Sequence, residues 1–91
     1  MGRFRIHRDH TMGKEAVRDA AEELAVDLKQ RFNMRYRWNG DKLVFSGAGS
    51  NGELTISEAG LDLKIELGLL ASAFEAPLKE EINRFLDEHL S

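Results

Sequence analysis

The chain has no cysteine, a single proline, a single tryptophan, no long apolar run and no low-complexity stretch. Without cysteine there is neither a disulfide framework nor a thiolate metal site, which suits a reducing compartment. No stretch approaches the roughly 20 apolar residues of a membrane-spanning helix. The opening residues Met1-Gly2-Arg3-Phe4-Arg5 lack the apolar core of a signal peptide. Ile6 stands where a myristoylation signal needs Ser or Thr. These absences predict a soluble cytoplasmic protein with no integral membrane association. At 91 residues the chain has room for one domain, expected over residues 2–91.

Charge is placed unevenly. The net charge is −3, yet Arg3, Arg5, Arg8, Arg35 and Arg37 fall in the first half while acids dominate the second. A mildly acidic chain argues against general nucleic-acid binding but leaves room for a local arginine face.

The most regular stretch runs from Leu61 to Leu90. Leu61, Leu63, Ile65 and Leu67 alternate with Asp62, Lys64 and Glu66, the period of a strand with one buried face. After Gly68 the spacing changes to three and four, with Leu70, Phe74, Leu78, Ile82, Phe85, Leu86 and Leu90 forming one helical stripe. Ser72 and Glu75 are spaced as a capping box that would start this helix, with Pro77 tolerable in its first turns.

Earlier in the chain, Phe4 and Ile6 alternate with Arg3, Arg5 and His7, which predicts a strand over about residues 3–9. Thr11 is expected to cap a helix over Lys14–Phe32, whose inner side carries Val17, Ala20, Ala21, Leu24, Leu28 and Phe32. Asn33 can end that helix in the left-handed conformation. Met34, Tyr36 and Trp38 then alternate with Arg35 and Arg37, and Asn39-Gly40-Asp41 turns the chain into a hairpin between 34–38 and 42–47. Gly47 to Gly52 reads as a loop. Leu54 and Ile56 alternate with Glu53 and Thr55 as a fourth strand, so the glycine run is followed by a strand and not by the helix a phosphate loop needs.

The predicted fold is α+β in the order β-α-β-β-β-β-α. Five strands form a curved antiparallel sheet with two helices on one face, and the first strand returns beside the last.

No catalytic motif is visible. The serines show no telling relation to a histidine, and Glu22-Glu23 and Glu80-Glu81 read as solvated helix faces. His7, Asp9 and His10 are the one close group of metal-ligand types and read as a wet strand end, so neither metal nor cofactor is expected. Two surfaces remain. Trp38, Phe45, Leu69, Leu70 and Phe74 are either core or a partly open apolar groove and patch beside the last helix. Arg3, Arg5, Arg35 and Arg37 form an alternative basic face, though they are expected to balance Glu53, Asp62 and Glu66 across the sheet while Tyr36 and Trp38 stay in the core. An exposed edge strand leaves room for a homodimer.

Several segments together resemble the polyhydroxyalkanoic acid system family: Arg5-Ile6-His7-Arg8, His10-Thr11-Met12-Gly13, Arg37-Trp38-Asn39-Gly40-Asp41, Leu67-Gly68-Leu69-Leu70, Pro77-Leu78 and Glu81-Ile82. The resemblance spans nearly the whole chain. It implies a small bacterial protein encoded beside polyhydroxyalkanoate synthesis and granule genes, with a polyhydroxyalkanoate granule or a granule-associated protein as partner. The element order is also similar to TATA-binding-protein-like and helix-grip folds, the latter holding apolar ligands between sheet and C-terminal helix. The reading that follows is a non-enzymatic accessory protein of polyhydroxyalkanoate storage, binding a granule surface, an apolar acyl ligand or a granule protein. The alternative is a nucleic-acid or regulatory-partner module on the arginine face.

Overall fold

The computed structural model describes residues 2–47, 49–69 and 71–90. Strand β1 (Gly2–Asp9) leads to helix α1 (Lys14–Phe32). Four strands follow, β2 (Arg35–Asn39), β3 (Lys42–Gly47), β4 (Ser50–Ile56) and β5 (Gly60–Leu67), and a 3-10 turn (Ser72–Phe74) opens helix α2 (Glu75–His89). All strands join one antiparallel sheet in the order β1-β5-β4-β3-β2, which is the predicted meander with the first strand returned beside the last.

The register explains the core. One face carries the rows Phe4–Ile65–Gly52–Phe45–Tyr36 and Ile6–Leu63–Leu54–Leu43–Trp38. Val17, Ala21, Leu24 and Leu28 of α1, with Leu78, Ile82 and Leu86 of α2, join this face in one buried cluster. The alanines of α1 allow close approach, and glycine is required at position 52: a methyl group there would come within 2.5 Å of both Ile65 Cδ1 and the Lys64 carbonyl. The Ile65 side chain on the neighbouring strand occupies the space left open.

Local endings depart from the expected caps. Thr11 does not cap α1. Gly13, at φ 87°, occupies the position before Lys14 without any side-chain cap, and its carbonyl accepts from Val17 N–H to close the first turn. Nor is there a capping box on α2, because Ser72 Oγ donates instead to the Leu69 carbonyl at 2.8 Å and the chain enters the helix through the 3-10 turn. Pro77 sits in the first turn of α2, where its missing N–H costs nothing. Asn33 ends α1 in the left-handed conformation as expected, with φ 58°. The hairpin loop is Gly40-Asp41, since Asn39 already pairs with Lys42, and Gly40 takes φ 63°. β4 begins earlier than the alternation suggested, at Ser50.

Candidate functional site

The two helices stop short of one end of the sheet. α1 ends at Phe32 and α2 begins at Glu75, and beneath that gap the last inward row of the sheet is Gly2–Leu67–Ser50–Gly47. Of this row Leu67 and Ser50 lie at the opening, whereas Gly2 is approached by Glu75 of α2 and Gly47 by the Asn33 carbonyl. The result is a half-open cavity of about 230 Å³. Phe32 and Met34 form its α1 side, Leu67 and Ser50 its floor, and Ala71, Phe74 and Leu78 its α2 side, with Arg31 and Asn33 at the polar margin. The lining is overwhelmingly apolar.

The rim is built by backbone bonds. Gly68 N–H donates to the Gly49 carbonyl at 2.8 Å, and Ala71 N–H to the Gly68 carbonyl at 3.1 Å, which ties the turn holding Gly68, Leu69 and Ala71 to Gly49. Gly49 takes φ 75° there, and a methyl on it would stand 3.3 Å from Ala71 Cβ. On this turn Leu69 is 78% exposed, and Phe74 at the cavity wall is 53% exposed. Ordinary folding leaves large apolar side chains in water singly, so two flanking an apolar cavity stand out.

The structure divides the expected groove residues. Phe74 lines the cavity and Leu69 lies on the turn that supplies Ala71, whereas Leu70 lies outside the described residues. Phe45 is 1% exposed and belongs to the core beneath the helices. Trp38 is only half-buried and is held far from this end of the sheet. Its Nε1–H donates to Glu22 Oε1 at 2.8 Å, and the Arg18 guanidinium sits 4.3 Å over its ring. Tyr36 donates its hydroxyl to Glu22 Oε2 at 2.5 Å. Glu22 is therefore no freely solvated helix residue. The Tyr36 donor first and the Trp38 donor second hold its carboxyl below the usual glutamate range, and the same bond to Glu22 raises the Tyr36 phenol. Nor do Tyr36 and Trp38 join the fully buried core, because both must reach this carboxylate at the sheet edge. Cavity residues that the sequence did not single out, Phe32, Met34, Leu67 and Ala71, look like ordinary core positions in any periodicity.

A family model described as "Putative polyhydroxyalkanoic acid system protein" matches residues 4–90. The chain belongs to this family. Its name links the protein to polyhydroxyalkanoate storage systems. The match takes in every residue that lines the cavity. No curated protein and no solved structure matches the chain.

Elsewhere the protein shows an uncovered sheet face. Its rows read Arg3–Glu66–Asn51–Ser46–Arg35, Arg5–Lys64–Glu53–Val44–Arg37 and His7–Asp62–Thr55–Lys42–Asn39. The arginines do not balance the acids by pairing. Among the described residues none of Arg3, Arg5, Arg35 or Arg37 takes part in an ion pair, and Glu53 is approached instead by Lys42 at 3.7 Å. They stand at opposite edges of the sheet, about 19 Å apart at four strand spacings, with Glu53, Asp62 and Glu66 on the strands between.

His7 donates from Nδ1 to Asp62 at 2.8 Å and from Nε2 to Asp9 at 2.9 Å, which requires the doubly protonated ring. Asp62 first and Asp9 second raise its pKa. His10 turns away, buried, with Nε2–H on the Ser57 carbonyl at 2.9 Å. Among the described residues no three potential ligands gather to hold a metal ion. The hydroxyls of Ser50, Ser57 and Ser72 each donate to a backbone carbonyl. No helix of the described residues is long and apolar enough to cross a membrane.

Proposed function

We propose that the protein is a non-enzymatic accessory protein of polyhydroxyalkanoate storage that binds the apolar acyl chains of the polymer directly. The observation that carries this reading is the half-open apolar cavity of about 230 Å³ between the helix ends and the sheet, with Leu69 and Phe74 exposed beside it. The cavity receives an acyl segment while the two side chains bury against the surrounding material. The family supports the material: a polyester of hydroxyacyl units presents short alkyl branches and neutral esters, which match an apolar lining with few polar groups.

Apolar burial sets the expected strength. Fully burying a leucine or phenylalanine contributes about 1.5–3 kcal/mol, and the exposed fractions of Leu69 and Phe74 scale the pair to about 2–4 kcal/mol. The test is co-sedimentation with protein-stripped polyhydroxybutyrate granules, with native granules alongside. The protein pellets with stripped granules, and the double substitution Leu69→Ser and Phe74→Ser weakens binding about 30-fold or more while far-UV circular dichroism is unchanged. Binding confined to native granules would replace this reading with a protein partner. Binding to neither would remove the polymer as ligand.

The arginine-bearing face supports the alternative, a nucleic-acid or regulatory-partner module, less well. Its arginines, which pair with no described acid, are separated by strands that carry carboxylates, and these repel a continuous phosphate backbone. A steep fall of affinity with salt would be needed to restore it.

A further inference from the structure

Of the residues lining the apolar cavity, Arg31 alone is charged. A guanidinium at such a place is either spent on the protein's own acids or kept for a ligand. Here it is partly spent, in a particular way. Nε–H donates to Asp27 Oδ1 at 2.7 Å, one turn back on the same helix, and Glu81 Oε2 of α2 lies 3.6 Å from the same nitrogen. Neither Nη donates a hydrogen bond to any described residue. One edge of the planar group is thus anchored, and among the described residues the terminal fork has no partner. Glu81 is also taken by Arg84, so the cluster of Asp27, Glu81, Arg31 and Arg84 is neutral before any ligand arrives.

A guanidinium fork matches a carboxylate, which accepts two parallel N–H bonds, and it matches a neutral ester far less well. The cavity behind Arg31 holds the volume of about eight waters at roughly 30 Å³ each, room for a chain of a few carbons and not for a long fatty acid. Ser50 adds one hydroxyl at the floor, whose proton goes to the Gly47 carbonyl, so its oxygen remains an acceptor for a ligand hydroxyl. We infer that the cavity takes the carboxylate end of a short acyl or hydroxyacyl chain, with the carboxylate on Arg31 and the alkyl part against Met34, Leu67 and Leu78. This rests on the polymer-binding reading above and narrows it: the protein recognises a free chain end or a released monomer in preference to the ester interior.

The test compares hexanoate with its neutral isomer methyl pentanoate, titrated into the full chain and followed by two-dimensional amide NMR and calorimetry. Hexanoate binds at least tenfold more tightly, with shifts at Arg31, Met34 and Ala71. Arg31→Gln brings the two affinities within twofold by weakening that of hexanoate, and Arg31→Lys, which keeps the charge without the fork, retains part of the preference. Thermal melts of each variant confirm folding. Equal affinity of acid and ester for the native chain overturns the carboxylate assignment while leaving the apolar cavity as a ligand site. A preference that survives Arg31→Gln overturns it as well, because the anion is then held elsewhere. If neither probe shifts cavity amides, the cavity is not a ligand site, and both this inference and its use in polymer binding fall.

Discussion

Glu22 offers the sharpest test of how the sheet edge is held to α1. Its carboxylate receives Tyr36 O–H at 2.5 Å and Trp38 Nε1–H at 2.8 Å, so one side chain of α1 holds two aromatic residues of the edge strand β2. In Glu22→Ala both donors lose their acceptor. Bonds to a charged group contribute roughly 1.5–3 kcal/mol each when sheltered, but this site is only partly buried and water replaces part of the loss, so the expected cost is about 1–2 kcal/mol in all. For a chain of this size that is a fall in Tm of about 5–15 °C. Glu22→Gln separates charge from geometry: its oxygen still accepts from Trp38 while its amide donates to the Tyr36 oxygen, so it should melt between the other two.

The charge makes the effect depend on pH. Because the folded pKa of Glu22 is lowered, its stabilisation is fully present above the unfolded glutamate value, near 4.5, and is lost as pH falls through the lower folded value. The gap between native chain and Glu22→Gln is therefore constant from pH 6 to 8 and narrows toward pH 3. Trp38 is the sole tryptophan, so melts followed by its fluorescence report this contact without deconvolution. The reasoning fails if Glu22→Ala melts within about 2 °C of the native chain at pH 7, or if the Gln gap persists at pH 3.

Two further changes probe the sheet. Gly52→Ala drives a methyl against the Lys64 carbonyl and Ile65, and since a backbone oxygen cannot rotate aside, stability should fall by about 1–3 kcal/mol in urea titrations; an unchanged midpoint would show that the strands part freely. His7 has a raised folded pKa, so its contribution is present below the unfolded value of 6.5 and disappears as pH rises through the folded value. A His7→Asn chain should thus lose most ground to the native one at pH 5–6 and match it by pH 9, and a difference that grows with pH would contradict the two-carboxylate grip.

Much of the fold was legible because each strand has one apolar face and each helix one stripe. Leu61, Leu63, Ile65 and Leu67 fix one strand's register, and the glycine at position 40 fixes a hairpin. What stayed hidden was whatever depended on pairing across the chain. Nothing near Glu22 announces that Tyr36 and Trp38 will arrive at its carboxylate from fourteen and sixteen residues away. The capping box on α2 is absent for a related reason: Ser72 has the right neighbour in Glu75, but its hydroxyl is claimed by the Leu69 carbonyl. Leu69 and Phe74 could be named from sequence as either core or an open patch, but the spacing could not choose between the two, because the stripe that runs from Phe74 into Leu78 and Ile82 looks continuous.

The cavity itself is a product of termination. A helix pair reaching further over Leu67 and Ser50 would close the opening, while Gly2 and Gly47 in the same row are already approached by Glu75 and the Asn33 carbonyl. Two independent shortfalls coincide at one end, with Asn33 stopping α1 in a left-handed turn and the 3-10 turn at Ser72 delaying α2. Stability argues for filling such a hole, since an underpacked apolar lining forgoes dispersion contacts and exposes carbon to water. The rest of the core, with Val17, Leu24, Leu28, Leu43, Leu54 and Ile82 fully buried, shows that this sequence can pack to completion. An opening that survives beside so complete a core, bordered by Arg31 whose Nη groups donate to no described residue, supports its use in binding.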